Sequence, residues 1–310
     1  MRRTPMFLTA ALTVAALTLG GCAENSPDAA APSGSGGGPA FPVTVGGVTL
    51  DQRPERIVAL SPTVTEMLFA IGAGQQVVAV DDNSNFPPEA PRTDLSGFTP
   101  NAEAIAANEP DLVVLTTDAN KVVEQLTQLK IPVYVASAAV TLGDTYRQLT
   151  ELGVLTGHTD AASAMAQRMT EDIEKLVGDL PQRSTTLTYY YELDPTYYSV
   201  TSKTFVGSLF SMVGLTNVAD PADADGASGG YPQLSEEVLI AANPDFVFLA
   251  DAKCCAQSAA TVKARTGWAD VSAVRNDRIV ALDDDIASRW GPRVVDLVRA
   301  IVDAVAKVPA

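Results

Sequence analysis

The side chains best suited to catalysis are scarce in this sequence. The only histidine, His158, lies in a Gly-His-Thr-Asp turn, and no Gly-x-Ser-x-Gly elbow directly follows a predicted strand to partner it in a hydrolase. One histidine also excludes a zinc site built from several histidine ligands. We therefore expect His158 to be a solvated turn residue. An α/β hydrolase is only a remote alternative, and we expect no catalytic residues.

Metal and phosphate sites have little more support. Asp283, Asp284 and Asp285 could bind a hard cation, but three adjacent carboxylates cannot all face one ion. A solvated acidic turn, with one member making a contact, is the expectation. No glycine-rich phosphate loop follows any strand. The sequence thus favours binding over chemistry, with no metal site and no cofactor.

Two neighbouring cysteines, Cys254 and Cys255, form the remaining reactive pair. Thiols outside the cytoplasm tend to oxidise, but neighbouring Cα atoms lie about 3.8 Å apart, below the usual disulfide range. A vicinal disulfide that stiffens a loop and two free thiols both stay open.

The N-terminus has the form of an export signal. Arg2 and Arg3 precede an apolar run over residues 6–19, which is shorter than the roughly 20 residues of a membrane-spanning helix. The run ends in Leu-Gly-Gly-Cys, which resembles the bacterial lipoprotein cleavage box. We expect a signal peptide over residues 1–21 and a lipid on Cys22 that anchors the protein outside the cytoplasm. An ordinary signal peptide with an incidental cysteine is the alternative.

Composition separates a tether from the folded part. Residues 22–40 hold the lipidated cysteine and a segment rich in Gly, Ser, Pro and Ala, typical of a flexible linker. The remaining residues suffice for two lobes. The net charge of −16 argues against nucleic acid or an anionic lipid surface as partner, so lipid is the only expected membrane contact. We expect a monomer.

The strands and helices that must position a binding site are predicted to form an α/β fold. Residues 41–50 alternate around Gly46-Gly47, which predicts a hairpin. Short apolar strands then alternate with helical stretches, as in parallel sheets. The predicted strands are residues 56–60, 77–80, 111–116 and 132–137 in the first half, and residues 186–193, 245–250 and 278–283 in the second, with a weaker candidate near 216–218.

The two halves share a repeat. The segment that starts at Glu103 (EAIAANEPDLVVL) matches the one that starts at Glu237 (EVLIAANPDFVFL), 134 residues later. Each copy predicts a helix stopped by Pro and an Asp that leads into a buried strand. The pentapeptide RIVAL also occurs twice, at residues 56–60 and 278–282, but at a different offset. We interpret its recurrence as chance and expect both copies to be core strands.

A long helix connects the halves. Residues 142–180 break at Thr156-Gly157, restart near Thr159 and end at Gly178. A single helix is a stiff connector, so large hinge closure is not expected. The sequence therefore predicts an N-terminal lobe over residues 41–157, a connecting helix over 158–180 and a C-terminal lobe over 181–310.

Ligands of parallel sheets bind beyond the carboxyl ends of the strands, and unusual residues follow the strands here. Ser61-Pro62-Thr63 follows the first RIVAL, as an N-cap with Pro at N1 or as the start of a capping box to Glu66. Either arrangement presents free backbone N–H groups. Asn85 and several aromatic residues occupy other loop positions, which predicts a large, ring-rich ligand.

These motifs together resemble substrate-binding lipoproteins of bacterial ABC importers, in the helix-linked class (class III) that carries cobalamin, ferric siderophores or haem. The resemblance rests on RIVALSPTVTEMLFAIGAG, VVAVDDNSNFPPEA, the helix–strand repeat, GYPQLSEEVLIAANPD and RTGWADVSAVRNDRIVAL…GPR, and it covers residues 41 to about 306. It implies an α/β fold of two Rossmann-like lobes with central parallel sheets joined by one long helix. The ligand would lie between the lobes, and an ABC permease and ATPase would be the partners.

The resemblance also implies roles for individual residues. Glu103 and Glu237 fall where a glutamate of each lobe docks onto the permease. The positions that match groove residues of the family are Phe86, Phe98, Tyr191, Tyr231, Arg289 and Trp290. Phe86 replaces a Tyr that is usual in cobalamin binders, and Trp290 has no counterpart in them.

The sequence therefore predicts a protein that captures a bulky metal chelate, with cobalt or iron in the ligand, and delivers it to an importer. A corrinoid such as cobalamin is favoured slightly over a ferric siderophore, because a single groove arginine suits a weakly charged ligand. Haem stays open, since Tyr190 or Tyr198 could supply an axial ligand. A sensory or adhesive surface lipoprotein of the same fold is a further alternative.

Overall fold

The computed structural model describes residues 40–309. The predicted signal peptide, Cys22 and the tether up to residue 39 lie outside the described residues. The described part begins with the predicted hairpin, in which β1 (Val43–Val45) pairs antiparallel with β2 (Val48–Leu50). Gly46 and Gly47 both have positive φ, as a two-residue hairpin loop requires, so the hairpin prediction is confirmed.

The N-terminal lobe is built on a four-stranded parallel sheet in the order β4-β3-β5-β6. Its central strands β3 and β5 are buried along their whole length, which explains their unbroken Val, Ile and Leu sequence. The strands are β3 (Ile57–Leu60), β4 (Val77–Val80), β5 (Leu112–Leu115) and β6 (Val133–Val135). The helices are α1 (Pro62–Ala70), α2 (Ala102–Ala106), α3 (Val122–Gln128) and α4 (Leu142–Thr156).

The long helix α5 (Thr159–Gly178) connects this lobe to the next. Helix α4 ends at Gly157, which has the positive φ of a left-handed C-cap, and α5 starts two residues later. Helix α5 packs against α4 and against the last helix of the chain, so it is fixed to both lobes. Within residues 40–309, no helix combines the length and apolar character needed to cross a membrane.

The C-terminal lobe has its own four-stranded parallel sheet, in the order β10-β9-β7-β8. The fold is therefore α/β with two parallel sheets, as predicted. The strands are β7 (Thr188–Glu192), β8 (Thr216–Asn217), β9 (Phe246–Leu249) and β10 (Ile279–Ala281). The helices are α6 (Phe205–Met212), α7 (Glu236–Ala242), α8 (Ala252–Cys255), α9 (Ala259–Lys263), α10 (Ser272–Arg275), α11 (Asp284–Ala287) and α12 (Val294–Ala306).

The internal repeat has one structural role in both lobes. Its two copies form α2–β5 and α7–β9, and its aspartates tie each buried strand to a neighbour. Asp111 accepts the backbone N–H groups of Glu55 and Arg56, just before β3, at 2.8 and 2.9 Å. Asp245 accepts the N–H of Thr188, at the start of β7, at 3.0 Å. The Pro-Asp pair thus fixes where the central strand of each sheet begins.

The two RIVAL copies differ in environment. The first forms β3, a fully buried strand with neighbours on both sides. The second forms β10, which pairs only with β9 and is partly exposed. The expectation that both copies are core was therefore wrong for the second. β-branched residues favour both a buried central strand and an edge strand that packs on one side, so the same pentapeptide is compatible with β3 and β10.

Candidate functional site

A pocket of about 490 Å³ lies where the carboxyl end of β3 meets the segment after β10. It is thus bounded by residues from both lobes. The predicted residues that line it are Ser61, Pro62, Thr63, Phe98, Arg289 and Trp290. Its other lining residues are Leu60, Asp81, Asn83, Gly97, Thr116, Thr117, Ala119, Asp285 and Ser288.

Helix α1 points its N-terminus at this pocket. Ser61 is the N-cap residue and Pro62 occupies the first helical position, as one of the two predicted arrangements required. The capping box to Glu66 does not form, because the Glu66 carboxylate is used elsewhere. Pro62 has no N–H, and the Ser61 side chain makes no cap hydrogen bond, so the next free N–H groups of the helix lie beside the pocket.

The guanidinium of Arg289, in the lining of the pocket, is paired with side chains of the protein. Its side chain is only 9 % exposed, and both terminal nitrogens are bonded to the protein. Nη1 donates to Glu66 Oε1 at 2.7 Å and to Asn85 Oδ1 at 3.0 Å. Nη2 donates to Asp285 Oδ1 at 2.8 Å and to the Asn83 carbonyl at 3.4 Å. Arg289 lines the pocket, but its charge is neutralised within the wall.

The partner of Arg289 is part of a buried ion triad that joins the lobes. Glu66, on α1, is 3 % exposed and also accepts Arg293 Nε at 2.9 Å. The Arg293 guanidinium lies over the Phe86 ring, 4.3 Å from its centroid. Since Glu66 comes from the first lobe and both arginines from the last segment, the triad fixes one side of the pocket. Phe86 is 39 % exposed, and its ring packs against this ion triad through Arg293.

Trp290 lies at the same junction. Its indole Nε1 donates to Gln148 Oε1 at 2.9 Å, and its backbone carbonyl accepts the Thr145 hydroxyl at 2.9 Å. Both partners are on α4 of the N-terminal lobe. The ring is therefore held in a fixed orientation beside the pocket, with its polar atom satisfied.

Tyr191 is not a wall residue. It is 1 % exposed, and its hydroxyl donates to the Ala287 carbonyl at 3.1 Å. Its ring packs edge-on against Phe210. Side chains of a central strand alternate between the two covered faces of the sheet, so Tyr191 enters one core and Tyr190 the other. Tyr190 is fully buried as well, which removes it as an axial ligand for haem.

Tyr231 lines a second, smaller pocket of about 290 Å³, which shares no lining residue with the first. This pocket joins the loop after β6, with Val140, to the loops around Thr204 and Gly230 in the C-terminal lobe. Tyr231 is 52 % exposed and Phe98, on the larger pocket, is 80 % exposed. Large aromatic side chains exposed to this extent are available to stack on a flat ligand.

The acidic turn makes more contacts than predicted. Asp283 caps α11, and Lys253 Nζ bridges Asp283 and Asp285 at 2.7 and 2.9 Å. Asp284 accepts the N–H groups of Lys253 and Cys254, both at 2.9 Å. The neighbouring Cys254 and Cys255 are joined by a disulfide in α8. All three aspartates are therefore structural, and they connect α8 to the pocket wall.

Two other predicted residues lie outside the pockets. Glu103 and Glu237 are both exposed in the first turns of α2 and α7, and hydrogen bonds from its own backbone N–H and from the Ser235 side chain lower the pKa of Glu237. His158 is not simply solvated. It is half-buried, bonds to Arg53 at 2.8 Å and Gln76 at 3.0 Å, and has a pKa lowered by burial.

The sequence argument missed Glu66 and Asp81. Glu66 had been considered only as a cap, and its arginine partners lie more than 220 residues away. Asp81 directly follows β4 and is 3 % exposed, so its position at a strand end was the available signal. Among residues 40–309, no cluster of three acidic, cysteine or histidine side chains is arranged to hold a metal ion. The site offers shape, rings and hydrogen-bond acceptors.

A two-lobed α/β fold with a helix connector and a pocket bounded by both lobes defines a solute-binding protein. The chain belongs to the periplasmic binding protein family, whose profile matches residues 57–286. This is a family of binding proteins and not of enzymes. The chain is similar to an uncharacterized ABC transporter substrate-binding lipoprotein, YvrC of Bacillus subtilis (strain 168), with 27 % identity over 96 % of this chain and 95 % of the relative.

A second relative is a cobalamin-binding protein of Halobacterium salinarum, 30 % identical over 83 % of this chain and 71 % of the relative. Among solved structures, the periplasmic heme-binding protein RhuT from Roseiflexus sp. RS-1 superposes with a TM-score of 0.69 at 25 % identity, over 81 % of this chain and 99 % of that chain. The chain is an extracytoplasmic solute-binding protein of the ABC importer type, and a permease and ATPase are the partners that this implies.

Proposed function

We propose that this protein captures a bulky metal chelate, a corrinoid before a ferric siderophore, between its lobes and delivers it to an ABC importer. The observation that carries the proposal is the pocket of about 490 Å³ with Phe98 exposed at its rim and Trp290 in its wall. Because Phe98 is 80 % exposed at the rim of the pocket, its ring is available to stack on a flat ligand. The cobalamin-binding relative supports the corrinoid.

Equilibrium dialysis with cyanocobalamin, a neutral ferric hydroxamate and hemin, read by the absorbance of each chelate, tests the proposal. We expect saturable binding of the corrinoid with one site per protein. Phe98→Ala should weaken it about tenfold, because a stacked ring contributes of the order of 1 kcal/mol or more. Leu129→Ala is the matched control, since Leu129 is also exposed but lines neither pocket. Absence of saturable binding by all three probes would refute the proposal.

Haem is the second candidate, supported by the similarity to a heme-binding protein. Tyr231 carries the phenol that a haem iron could use, because it is 52 % exposed on the smaller pocket. If haem is the ligand, hemin should give a tyrosinate-type absorbance spectrum that Tyr231→Phe abolishes. A corrinoid ligand predicts that Tyr231→Phe changes affinity only slightly.

Delivery requires docking onto the permease, and we propose Glu103 and Glu237 as the docking residues. They are exposed, lie at equivalent places of the two-fold repeat and carry charges that arginines of a partner could meet. Reversal of both to Lys should leave chelate affinity unchanged and abolish uptake in cells. We further propose that lipid on Cys22 anchors the protein at the membrane, which mass spectrometry of the mature N-terminus would test.

A further inference from the structure

The charges around the larger pocket are one-sided. Its acidic lining residues are Asp81 and Asp285, and its only basic lining residue among the described part of the chain is Arg289. Both terminal nitrogens of Arg289 already donate to protein acceptors, as described above. The terminal N–H groups are therefore committed to the protein, and Glu66 and Asp285 neutralise the charge of the guanidinium. Arg293 is held by the same glutamate.

The other polar lining groups are hydroxyls and acceptors. Ser61, Thr63, Thr116, Thr117 and Ser288 contribute hydroxyl groups. Hydroxyls accept or donate, whereas carboxylates only accept. The donors that a ligand meets are these hydroxyls, the Asn83 amide and the free N–H groups at the start of α1, and Asp81 is the lining charge that no charged side chain of residues 40–309 pairs.

Asp81 is the acid placed to act on the ligand. It follows β4 and is 3 % exposed, and burial raises its pKa. The Ser84 hydroxyl donates to Oδ1, and that hydroxyl is bonded in turn to Thr65 at 2.9 Å. Oδ2 receives no side-chain hydrogen bond within residues 40–309. Hydrogen bonds from the Ser84 hydroxyl and from the backbone N–H groups of Asn83 and Asp81 partly offset this rise of the pKa, and Oδ2, without a side-chain donor, can accept a donor from a ligand.

Gly97 keeps this oxygen accessible. A Cβ at Gly97 would lie 2.8 Å from the Leu60 carbonyl oxygen and 3.3 Å from Asp81 Oδ2, closer than side chains ordinarily pack. Gly97 has no positive φ that would require glycine, so close approach is the physical reason for this residue. Gly97 also lines the pocket, so a side chain at this position would shift the pocket wall at Leu60 and Asp81.

We propose that the larger pocket selects a neutral or cationic chelate with hydrogen-bond donors at its periphery, such as carboxamides, and that Asp81 sets this preference. The inference rests on the proposed function and deepens it. An anionic chelate would bring negative charge against a buried carboxylate, where the low dielectric strengthens repulsion and where the only lining guanidinium is already paired. Carboxamide N–H groups would instead complete the hydrogen bonding of Asp81.

Isothermal titration with three probes of different charge tests the inference. The probes are cyanocobalamin (neutral and rich in carboxamides), ferrioxamine B (one positive charge) and a ferric tris-catecholate (three negative charges). The wild-type protein should bind at least one of the first two roughly tenfold or more tighter than the catecholate. Asp81→Asn should reduce that ratio about tenfold by raising affinity for the anion. Asp172→Asn is the control, because Asp172 is exposed on α5 and removes the same charge.

The outcomes separate the two proposals. Tighter binding of the catecholate than of either other probe would overturn the charge preference but leave the chelate function standing. An unchanged ratio in Asp81→Asn would overturn the role of Asp81. Binding of none of the probes would overturn both. If Asp81→Asn does not fold, Asp81→Ser replaces it and should reduce the ratio in the same way; an unchanged ratio in that variant would overturn the role of Asp81.

Discussion

Removal of the Glu66 carboxylate is the sharpest test of how the two lobes are held together. Glu66 is 3 % exposed and neutralises Arg289 and Arg293, which are 9 % and 20 % exposed at the side chain. Glu66→Gln keeps the shape but leaves two guanidinium groups with one fewer negative partner. Breaking a buried pair in this way costs about 3–5 kcal/mol, because the remaining charge stays desolvated.

The expected loss in the free energy of unfolding can be measured by thermal denaturation. For a protein of this size, a loss of 3 kcal/mol lowers Tm by roughly 6–12 °C. Circular dichroism of Glu66→Gln against wild type gives this value, and Glu89→Gln is the matched control, because Glu89 is exposed and makes no ion pair within the described residues. A double-mutant cycle with Arg293→Gln isolates the pair, and we expect a coupling of about 2 kcal/mol or more.

Two results would refute the reasoning. One is a Glu66→Gln protein as stable as the Glu89→Gln control. The other is additive behaviour of Glu66→Gln and Arg293→Gln, since residues that do not interact show no coupling. Either result would mean that the ion pairs of Glu66 contribute nothing measurable to holding the lobes together.

Three further predictions concern stability and redox state. Burial, with Glu192 nearby, raises the pKa of Asp251 to about 7, so the free energy of unfolding should fall as pH rises from about 4 to 7, by at most roughly 4 kcal/mol at 1.36 kcal/mol per pKa unit. Asp251→Asn should flatten urea-unfolding stability across this range; an unchanged slope would assign the effect to other groups. Gly207→Ala should destabilise by about 3 kcal/mol, because its Cβ would lie 2.0 Å from the Thr201 carbonyl oxygen, whereas Gly178→Ala, with nothing within 4 Å, should be neutral or stabilising. Cys254 and Cys255 should resist alkylation until a reductant is added, which peptide mapping checks; full alkylation without reductant would show free thiols.

The sequence predicted the sheets well because their signal is local. Buried parallel strands need unbroken apolar runs, and β4 and β5 show them within a residue of their observed bounds. The structural role of the internal repeat could also be predicted from its local sequence. Pro stops the helix and Asp anchors the next strand, and Asp111 and Asp245 do so in the structure through backbone N–H groups.

The candidate site was harder to predict, because it depends on the direction in which each side chain points and on partners that are distant in the sequence. The family resemblance predicts Tyr191 in the groove, but Tyr191 falls within the strand predicted at residues 186–193, and both faces of this central strand are covered. The strand period of two gave a usable warning, since adjacent tyrosines must enter opposite cores. Arg289 is different. No local pattern states that its charge is taken by Glu66, which is 223 residues away.

The measurement that tests the central claim most directly is hydrogen exchange with and without saturating cyanocobalamin. A ligand held between the lobes should slow exchange in peptides from both lobes. These peptides cover residues 60–63 and 97–98 of the first lobe and residues 288–290 of the last segment, all of which line the larger pocket. The edge strand β10 should be unaffected, since it lies outside that pocket. Protection confined to one lobe, or none in these segments despite saturable binding, would contradict the account.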